Sequence, residues 1–370
     1  MSRRLLCFAV LACLPAGMAS AEIAIATAGP MQGQYAMFGE QLRHGTEMAV
    51  ADINAAGGIN GEMLTLEVVD DGCDAQRAVT VATELAAKGV KFVAGHFCSN
   101  ASIAAARIYE QNGILEISPA ATNPKFTDEG GWNVARVSGR DDGQGVYAGS
   151  FLATAYRDKK IAVLDDGSTY GKGMADALRR TLAAAGVKEA LSEHYAPSGT
   201  DFGALVARLT GAAIDVVYIG GAPADAGLIV RRLREAGSPA QIVAGDTLVA
   251  GEFLSAAGPA ADGTIMTFPA DPQRLPAARD VIGRFADTGY VPEGATLYAY
   301  AAVQAYRQAA IAVGGVTDNR KIAGWLRAGN TLNTVLGDIS MNEKGDLKNP
   351  KYVWYRWSDG KYFEDAELNR

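Results

Sequence analysis

Apolar positions along this chain fall into short unbroken runs that alternate with helical stripes. The first run, residues 23–28, is closed by Gly29-Pro30. After it, Leu42, Thr46, Ala49, Val50 and Ile53 recur at spacings of three and four, which predicts a helix with one buried face. Gly57-Gly58 ends that helix, because glycine accepts the left-handed turn at a helix C-terminus. Residues 64–69 predict the next strand, ending at Asp70-Asp71-Gly72, and 75–88 an alanine-rich helix stopped by Gly89. Further buried strands are expected at 90–95 and 114–117.

A second series of the same kind begins after Arg140. Strands are expected at 160–164, 215–219, 242–244 and 264–267, and helices at 171–185 and 224–236. Unbroken apolar runs suit parallel strands buried on both faces. Their alternation with helices implies right-handed βαβ units in open sheets. In such sheets ligands bind beyond the carboxyl ends of the strands, which points to the loops after residues 95, 117, 165, 219 and 244. Pro269-Ala-Asp-Pro272 breaks the pattern and reads as a crossover. Helices are expected at 295–314 and 320–327, then strands at 334–339 and 352–357 joined by the polar turn Asn342-Glu-Lys-Gly345.

The first residues change the picture of where the chain works. Arg3 and Arg4 precede an almost wholly apolar stretch, residues 5–15, and Ala19-Ser20-Ala21 supplies a small-x-small cleavage site. This is the layout of a secretory signal peptide cleaved after Ala21, and its apolar run is too short to span a bilayer. Cys13 after Val10-Leu11-Ala12 leaves a lipoprotein reading open, on an imperfect lipobox. The mature chain is expected to be exported, with no later transmembrane segment. Its length exceeds one ordinary core, so two domains are the default. The chain carries 41 acidic and 34 basic residues, and cleavage removes two of the bases and no acid. Such a balance suits neither nucleic acid nor an anionic membrane surface.

Of four cysteines, Cys7 and Cys13 leave with the leader, and Cys73 and Cys98 remain. An even pair in an exported protein reads as a disulfide, two free buried thiols being the alternative. Three histidines, His44, His96 and His194, show no metal-ligand spacing, so no zinc site is expected. A structural role is expected for His96. Neither a G-x-S-x-G elbow nor a phosphate loop occurs. Gly171-Lys-Gly173 opens a helix, but Asp176 stands where a dinucleotide fingerprint needs a third small residue. Asp70-Asp71 and Asp165-Asp166 sit at strand ends, where neighbours point to opposite sides; they read as solvated loop ends or caps rather than acid–base pairs. No enzyme is expected, and no cofactor.

Two loops of the first half carry ligand chemistry. Cys98-Ser99-Asn100 opens the helix 101–110, and a helix N-terminus with its free N–H groups suits a carboxylate. Ser118-Pro-Ala-Ala-Thr-Asn-Pro124 follows the next strand, with two prolines fixing its backbone. Each is also compatible with a plain cap or turn.

These loops belong to a wider resemblance. Asp52-Ile-Asn-Ala-Ala-Gly-Gly-Ile59, Asp70-Asp-Gly-Cys-Asp74, Gly95-His-Phe-Cys-Ser99, Gly113-Ile-Leu115, Ser118–Pro124, Tyr170-Gly-Lys-Gly173, Tyr218-Ile-Gly-Gly221, Tyr300-Ala-Ala-Val-Gln304 and Glu343-Lys-Gly-Asp-Leu347 occur in order along nearly the whole mature chain. In them the chain resembles the periplasmic branched-chain amino-acid binding proteins of ABC importers. The resemblance implies an α/β fold of two doubly wound parallel-sheet lobes joined by a three-crossover hinge, the type I periplasmic binding protein. Lobe 1 is expected from 22–140 plus 270–349, and lobe 2 from 141–269 plus 350–370.

The resemblance also implies the site. Ser99 matches a carboxylate-binding serine, and Thr122 a threonine contacting carboxylate and amino group. Ala120, with Ala121 beside it, would offer its backbone to the amine. Asp246 stands where the family places the amine's glutamate counter-charge, one methylene shorter. Tyr170 matches an aromatic lid, Phe38 an aromatic of lobe 1, and Phe97 lines the side-chain pocket. Cys73 and Cys98 match a lobe 1 disulfide. Two positions depart: Ala222 replaces a usual tyrosine, and Ala295 an aromatic found in many relatives, with Tyr298 able to fill part of that gap. The expected ligand is an amino acid, branched-chain or larger apolar or aromatic. The expected partner is an ABC permease in the inner membrane, served by a monomer. Alternatives on the same fold are a binder of an amide, urea or aromatic acid lacking an α-amine, and a sensory ectodomain; a secreted enzyme lacks its catalytic set.

Overall fold

The computed structural model describes residues 22–199 and 201–370. The basic n-region, its apolar run, Cys13 and the cleavage site after Ala21 lie outside the described residues. The first strands are β1 (Glu22–Gly29), β2 (Met63–Asp70), β3 (Phe92–Gly95), β4 (Leu115–Ser118) and β5 (Val134–Arg136). Between them run α1 (Ala36–Ala55), α2 (Ala75–Ala87), α3 (Ser99–Gln111) and the short α4 (Lys125–Asp128). The strands pair in parallel in the order β2-β1-β3-β4-β5. Every residue of β3 and β4 is buried, including Glu116 and Ser118 of β4, as strands covered on both faces require.

The second series runs α5 (Asp141–Ala155), β6 (Ile161–Asp165), α6 (Thr169–Ala184), β7 (Leu191–His194), α7 (Gly203–Gly211), β8 (Val216–Gly220), α8 (Pro223–Glu235), β9 (Gln241–Ala244), α9 (Gly251–Ala257) and β10 (Ile265–Pro269). It is followed by α10 (Arg279–Asp287), α11 (Thr296–Ala312) and α12 (Asn319–Arg327), then β11 (Leu332–Thr334), β12 (Gly337–Ile339), β13 (Tyr352–Ser358) and β14 (Lys361–Glu364). The second sheet has the order β14-β13-β10-β9-β8-β6-β7, antiparallel only where β13 and β14 join its edge.

Two separate cores follow. Strands β1, β3 and β4 pack on α1 and α11, where Phe92 stacks on Tyr306 with ring centroids 4.2 Å apart. Strands β6, β8 and β9 pack on α8 and α9 on one face and on α5 and α6 on the other. Helices α10 to α12 therefore return to the first body and β13 and β14 to the second, so the chain passes between them three times. This is the α/β architecture of two parallel-sheet lobes seen in type I periplasmic binding proteins.

Two expectations need correction. Residues 334–339 and 352–357 are not one hairpin. β11 pairs with β12 in its own two-stranded sheet, while β13 lies in the second lobe's sheet. The turn between them is held on the first lobe instead, where Arg136 N–H donates to Gly345 O at 2.9 Å. Nor are the aspartate pairs solvated. Asp71, Asp165 and Asp166 are buried. Asp71 meets the ring of His96 at 2.6 Å, and Asp165 binds Arg179 and His194. Asp166 accepts from the backbone N–H groups of Ser168 and Ala222. Buried carboxylates of this kind persist because each has partners that replace water.

Candidate functional site

The carboxyl ends of the two sheets face one another across a cavity of about 350 Å³. On the first lobe, α3 begins at Ser99, and the disulfide Cys73–Cys98 ties the loop after β2 to this helix start, with Cα atoms 5.3 Å apart. Asn100 tightens the same junction by donating to Cys73 O at 2.7 Å. Ser99 Oγ accepts from Asn123 N–H at 3.2 Å, so the helix start and the loop 118–124 are one rigid wall.

That loop is shaped from beneath. Ser118 Oγ accepts from the N–H groups of Ala120 and Ala121, and Ser118 donates to His96 O. Fully buried Arg136 donates to Ala121 O at 2.6 Å, to Asn123 O at 2.9 Å and to Thr127 Oγ1 at 2.9 Å, and pairs with Asp346. Burial pushes the Arg136 guanidinium pKa down, while Asp346 opposes that. Ala120 and Thr122 therefore face the cavity. Ala121 does not line it: its carbonyl is taken by Arg136, and its methyl packs against Ala106, Phe126 and Val134. Held by Arg136, Ala121 is turned away while the flanking residues reach inward.

The second lobe supplies the acid. Ser168 caps α6, its Oγ accepting from Gly171 N–H at 2.9 Å, and this sets Tyr170 on the first turn. Gly171 lets the turn lie against Gly220, since a Cβ there would come within 2.6 Å of the Gly220 carbonyl oxygen. Asp246 follows β9 and Gly245, and the Tyr170 hydroxyl donates to its Oδ1 at 2.5 Å. Burial holds the Asp246 carboxyl above its usual pKa, and the bond from Tyr170 works against that. The phenol of Tyr170 is pushed well up by burial and by the neighbouring carboxylate.

Ser99, Ala120, Thr122, Phe97, Phe38, Tyr170, Asp246 and Ala222 all line this one cavity, as do both cysteines, Ala295 and Tyr298. Phe38 and Phe97 stack with centroids 4.3 Å apart. Among the described residues no lysine, arginine or histidine lines it, and Asp166 and Asp246 are its only acids. His96 stays outside, held between Asp71 and Tyr109. Among the described residues no three histidine, cysteine or acidic side chains group as metal ligands, and no helix is long and apolar enough to cross a membrane.

Sequence reasoning missed several lining residues: Tyr35, Gln41, Gln144, Asp166, Thr247 and Phe268. Tyr35 and Gln41 lie three residues to either side of Phe38, and that spacing was the available signal. The lobes also touch one another directly. Asn123 Nδ2 donates to Thr169 O at 2.8 Å, and Ser198 Oγ donates to Gln34 at 3.1 Å. The molecule is thus in a closed arrangement.

Two lobes shut over a ligand-sized chamber, with polar groups at a helix start on one side and an acid on the other, define a solute-binding receptor. The sequence matches the family model described as periplasmic binding protein over residues 22–361. It is 45% identical over 349 residues to Leu/Ile/Val-binding protein homolog 1 of Brucella suis, covering 94% of each chain. It is 43% identical over 350 residues to an amino acid binding protein of Pseudomonas aeruginosa, covering 94% of this chain and 93% of that one. The chain belongs to the periplasmic binding protein family. Among solved structures, a leucine binding protein from Thermotoga maritima superposes with a TM-score of 0.85 at 25% identity, covering 93% of this chain and 98% of that one. A solute binding protein from R. palustris in complex with benzoate shares the fold, with a TM-score of 0.81 at 20% identity, covering 93% and 95% of the two chains.

Proposed function

We propose that this protein captures a free α-amino acid, branched-chain or larger, and delivers it to an ABC permease in the inner membrane. The α-carboxylate lies at the start of α3, against the hydroxyls of Ser99 and Thr122, where free N–H groups favour an anion. The α-ammonium takes Asp246 as its counter-charge and the Ala120 carbonyl as an acceptor. Tyr170 orients the aspartate. The side chain runs past Phe38 and Phe97 into space widened by Ala222 and Ala295.

The observation that carries this reading is Asp246: an acid on the interlobe cavity that, among the described residues, no basic side chain lines. A carboxylate largely withdrawn from water in this way calls for a cationic partner. Relatives named as Leu/Ile/Val-binding and amino acid binding support the same class of cargo. The lobes, 22–140 plus 270–349 and 141–269 plus 350–370, move as units about the three crossovers, and ligand closes them. The protein acts as a monomer in the periplasm after cleavage behind Ala21.

Mass spectrometry of ligand released from the purified, denatured protein tests the cargo directly. A thermal-shift panel of amino acids against their desamino acids completes it. Stabilisation by the amino acids alone supports the reading. Equal stabilisation by desamino or aromatic acids removes the role of Asp246 and favours a binder of ligands without an α-amine.

A further inference from the structure

Asn123 follows Thr122 in the loop that shapes the site, is 6% exposed, and does not itself line the cavity. It is tied firmly into lobe 1. Its backbone N–H donates to Ser99 Oγ, and its carbonyl accepts from Arg136 at 2.9 Å. Its side-chain Oδ1 accepts from the Lys125 N–H at 3.0 Å. With that oxygen committed, the amide NH₂ must face the other way. There it meets lobe 2, where Nδ2 donates at 2.8 Å to the carbonyl of Thr169, the first residue of α6. The next residue is Tyr170, which donates to Asp246. One side chain thus joins the loop beside Ser99 and Thr122 to the helix start beside Asp246.

Helix α6 makes room for the amide. Gly173 lies one turn past Thr169, and a Cβ there would lie 2.6 Å from Asn123 Nδ2 and 3.1 Å from Asp141 Oδ2. The carboxylate of Asp141 needs to give only slightly, whereas the approach to Nδ2 cannot stand, so a larger residue would hold the lobes apart. Within α6 itself alanine suits the helix better than glycine. The bond between Asn123 and Thr169 forms only when the cleft is shut, since in an open cleft water takes both groups. The contact of Ser198 with Gln34, by contrast, is exposed, and water competes with it even in the closed form. We infer that Asn123 is a latch: a positioning residue that holds the closed lobes together and sets how long a solute stays bound, by the same factor whatever the solute. The inference rests on the hinge closure proposed above and not on the identity of the cargo. A group that acts only on the closed form scales every affinity by the closed fraction and leaves the ranking of ligands intact. Because solute enters the open form, the effect falls on release and not on capture.

The test measures capture and release rates of radiolabelled leucine, isoleucine, valine and phenylalanine on ligand-stripped protein. Asn123→Ser keeps a side-chain oxygen for the Lys125 N–H but cannot reach Thr169. It is expected to release all four amino acids at least about threefold faster, with capture rates and the order of affinities unchanged. Gly173→Ala is expected to do the same by steric contact, and it decides the matter if the serine variant does not fold. The melting temperature of ligand-free Gly173→Ala should stay at or above that of the wild type, where a merely structural role for the glycine would lower it. In the double variant the alanine no longer meets Nδ2, so the combined loss should fall short of the product of the single losses. Wild-type release rates in either variant overturn the inference. So does a loss that differs among the four ligands, which would make Asn123 a part of the pocket's shape. Failure of all four to bind the wild type removes the amino-acid reading alone; the same rates measured with the solute released from the denatured protein then decide the latch.

Discussion

The hydroxyl of Tyr170 donates to the carboxylate of Asp246 across 2.5 Å, joining the first turn of α6 to the loop after β9. Both residues line the closed cavity. The tyrosine leaves the second carboxylate oxygen for a ligand and limits how far burial can raise the acid's pKa.

Asp246→Asn removes the negative charge while keeping shape and an acceptor. Binding of the preferred amino acid should weaken by roughly 3–5 kcal/mol, because an ammonium is then buried without its counter-ion. Titration calorimetry reads this directly, and a loss of less than about threefold would falsify the assignment.

The same acid sets a pH dependence. The ligand's ammonium needs ionised Asp246, whose pKa is raised in the closed cavity. Affinity should be complete above that raised value and fall as pH drops through it. Tyr170→Phe removes the bond that lowers the pKa, so the decline should begin at higher pH. Affinities measured from about pH 8 down to about pH 4 check both statements; coincident profiles for the two proteins would remove the proposed role of Tyr170.

Ala222 lies in the cavity wall, where its small side chain leaves room. Ala222→Tyr should fill the cavity and cut affinity for aromatic amino acids by at least about tenfold, through overpacking. Valine and alanine should lose far less. A thermal-shift series over amino acids of increasing size distinguishes this from a uniform loss, which would mean that the site is merely distorted.

Asp141 opens α5 at the hinge, fully buried, with neither oxygen hydrogen-bonded in good geometry. Burial lifts its pKa from 3.8 to about 8, with nearby Asp246 adding to the rise and Thr122 and Arg136 opposing it. Folding thus favours the protonated acid. Its contribution is fully present below the unfolded value near 3.8 and is lost as pH rises towards about 8. Asp141→Asn escapes that loss. Its melting temperature relative to wild type should climb between about pH 5 and pH 8. A constant difference across that range would show that Asp141 titrates normally.

Much of this molecule was legible in one dimension. β3, β6 and β8 are nearly continuous apolar runs because parallel strands covered on both faces have no wet side. Edge strand β7 reads Leu-Ser-Glu-His with alternating burial, and carries no such run to announce it. The partners of Asp71 and Asp165 were equally hidden: His96 and His194 lie 25 and 29 residues further on.

The sequence by itself determined the alternation of strands and helices, the glycine stops and the order of loops that marks the family. Those features are local, set by side-chain periodicity and backbone freedom over a few neighbouring residues. Only the tertiary structure decided which side chains meet. Tyr170 reaches Asp246 across 76 residues and Gln41 reaches Ala295 across 254, while Arg136 turns Ala121 away from the cavity that its neighbours face. Such pairings depend on how two sheets and their crossovers are placed in space, and burial then makes each hydrogen bond obligatory.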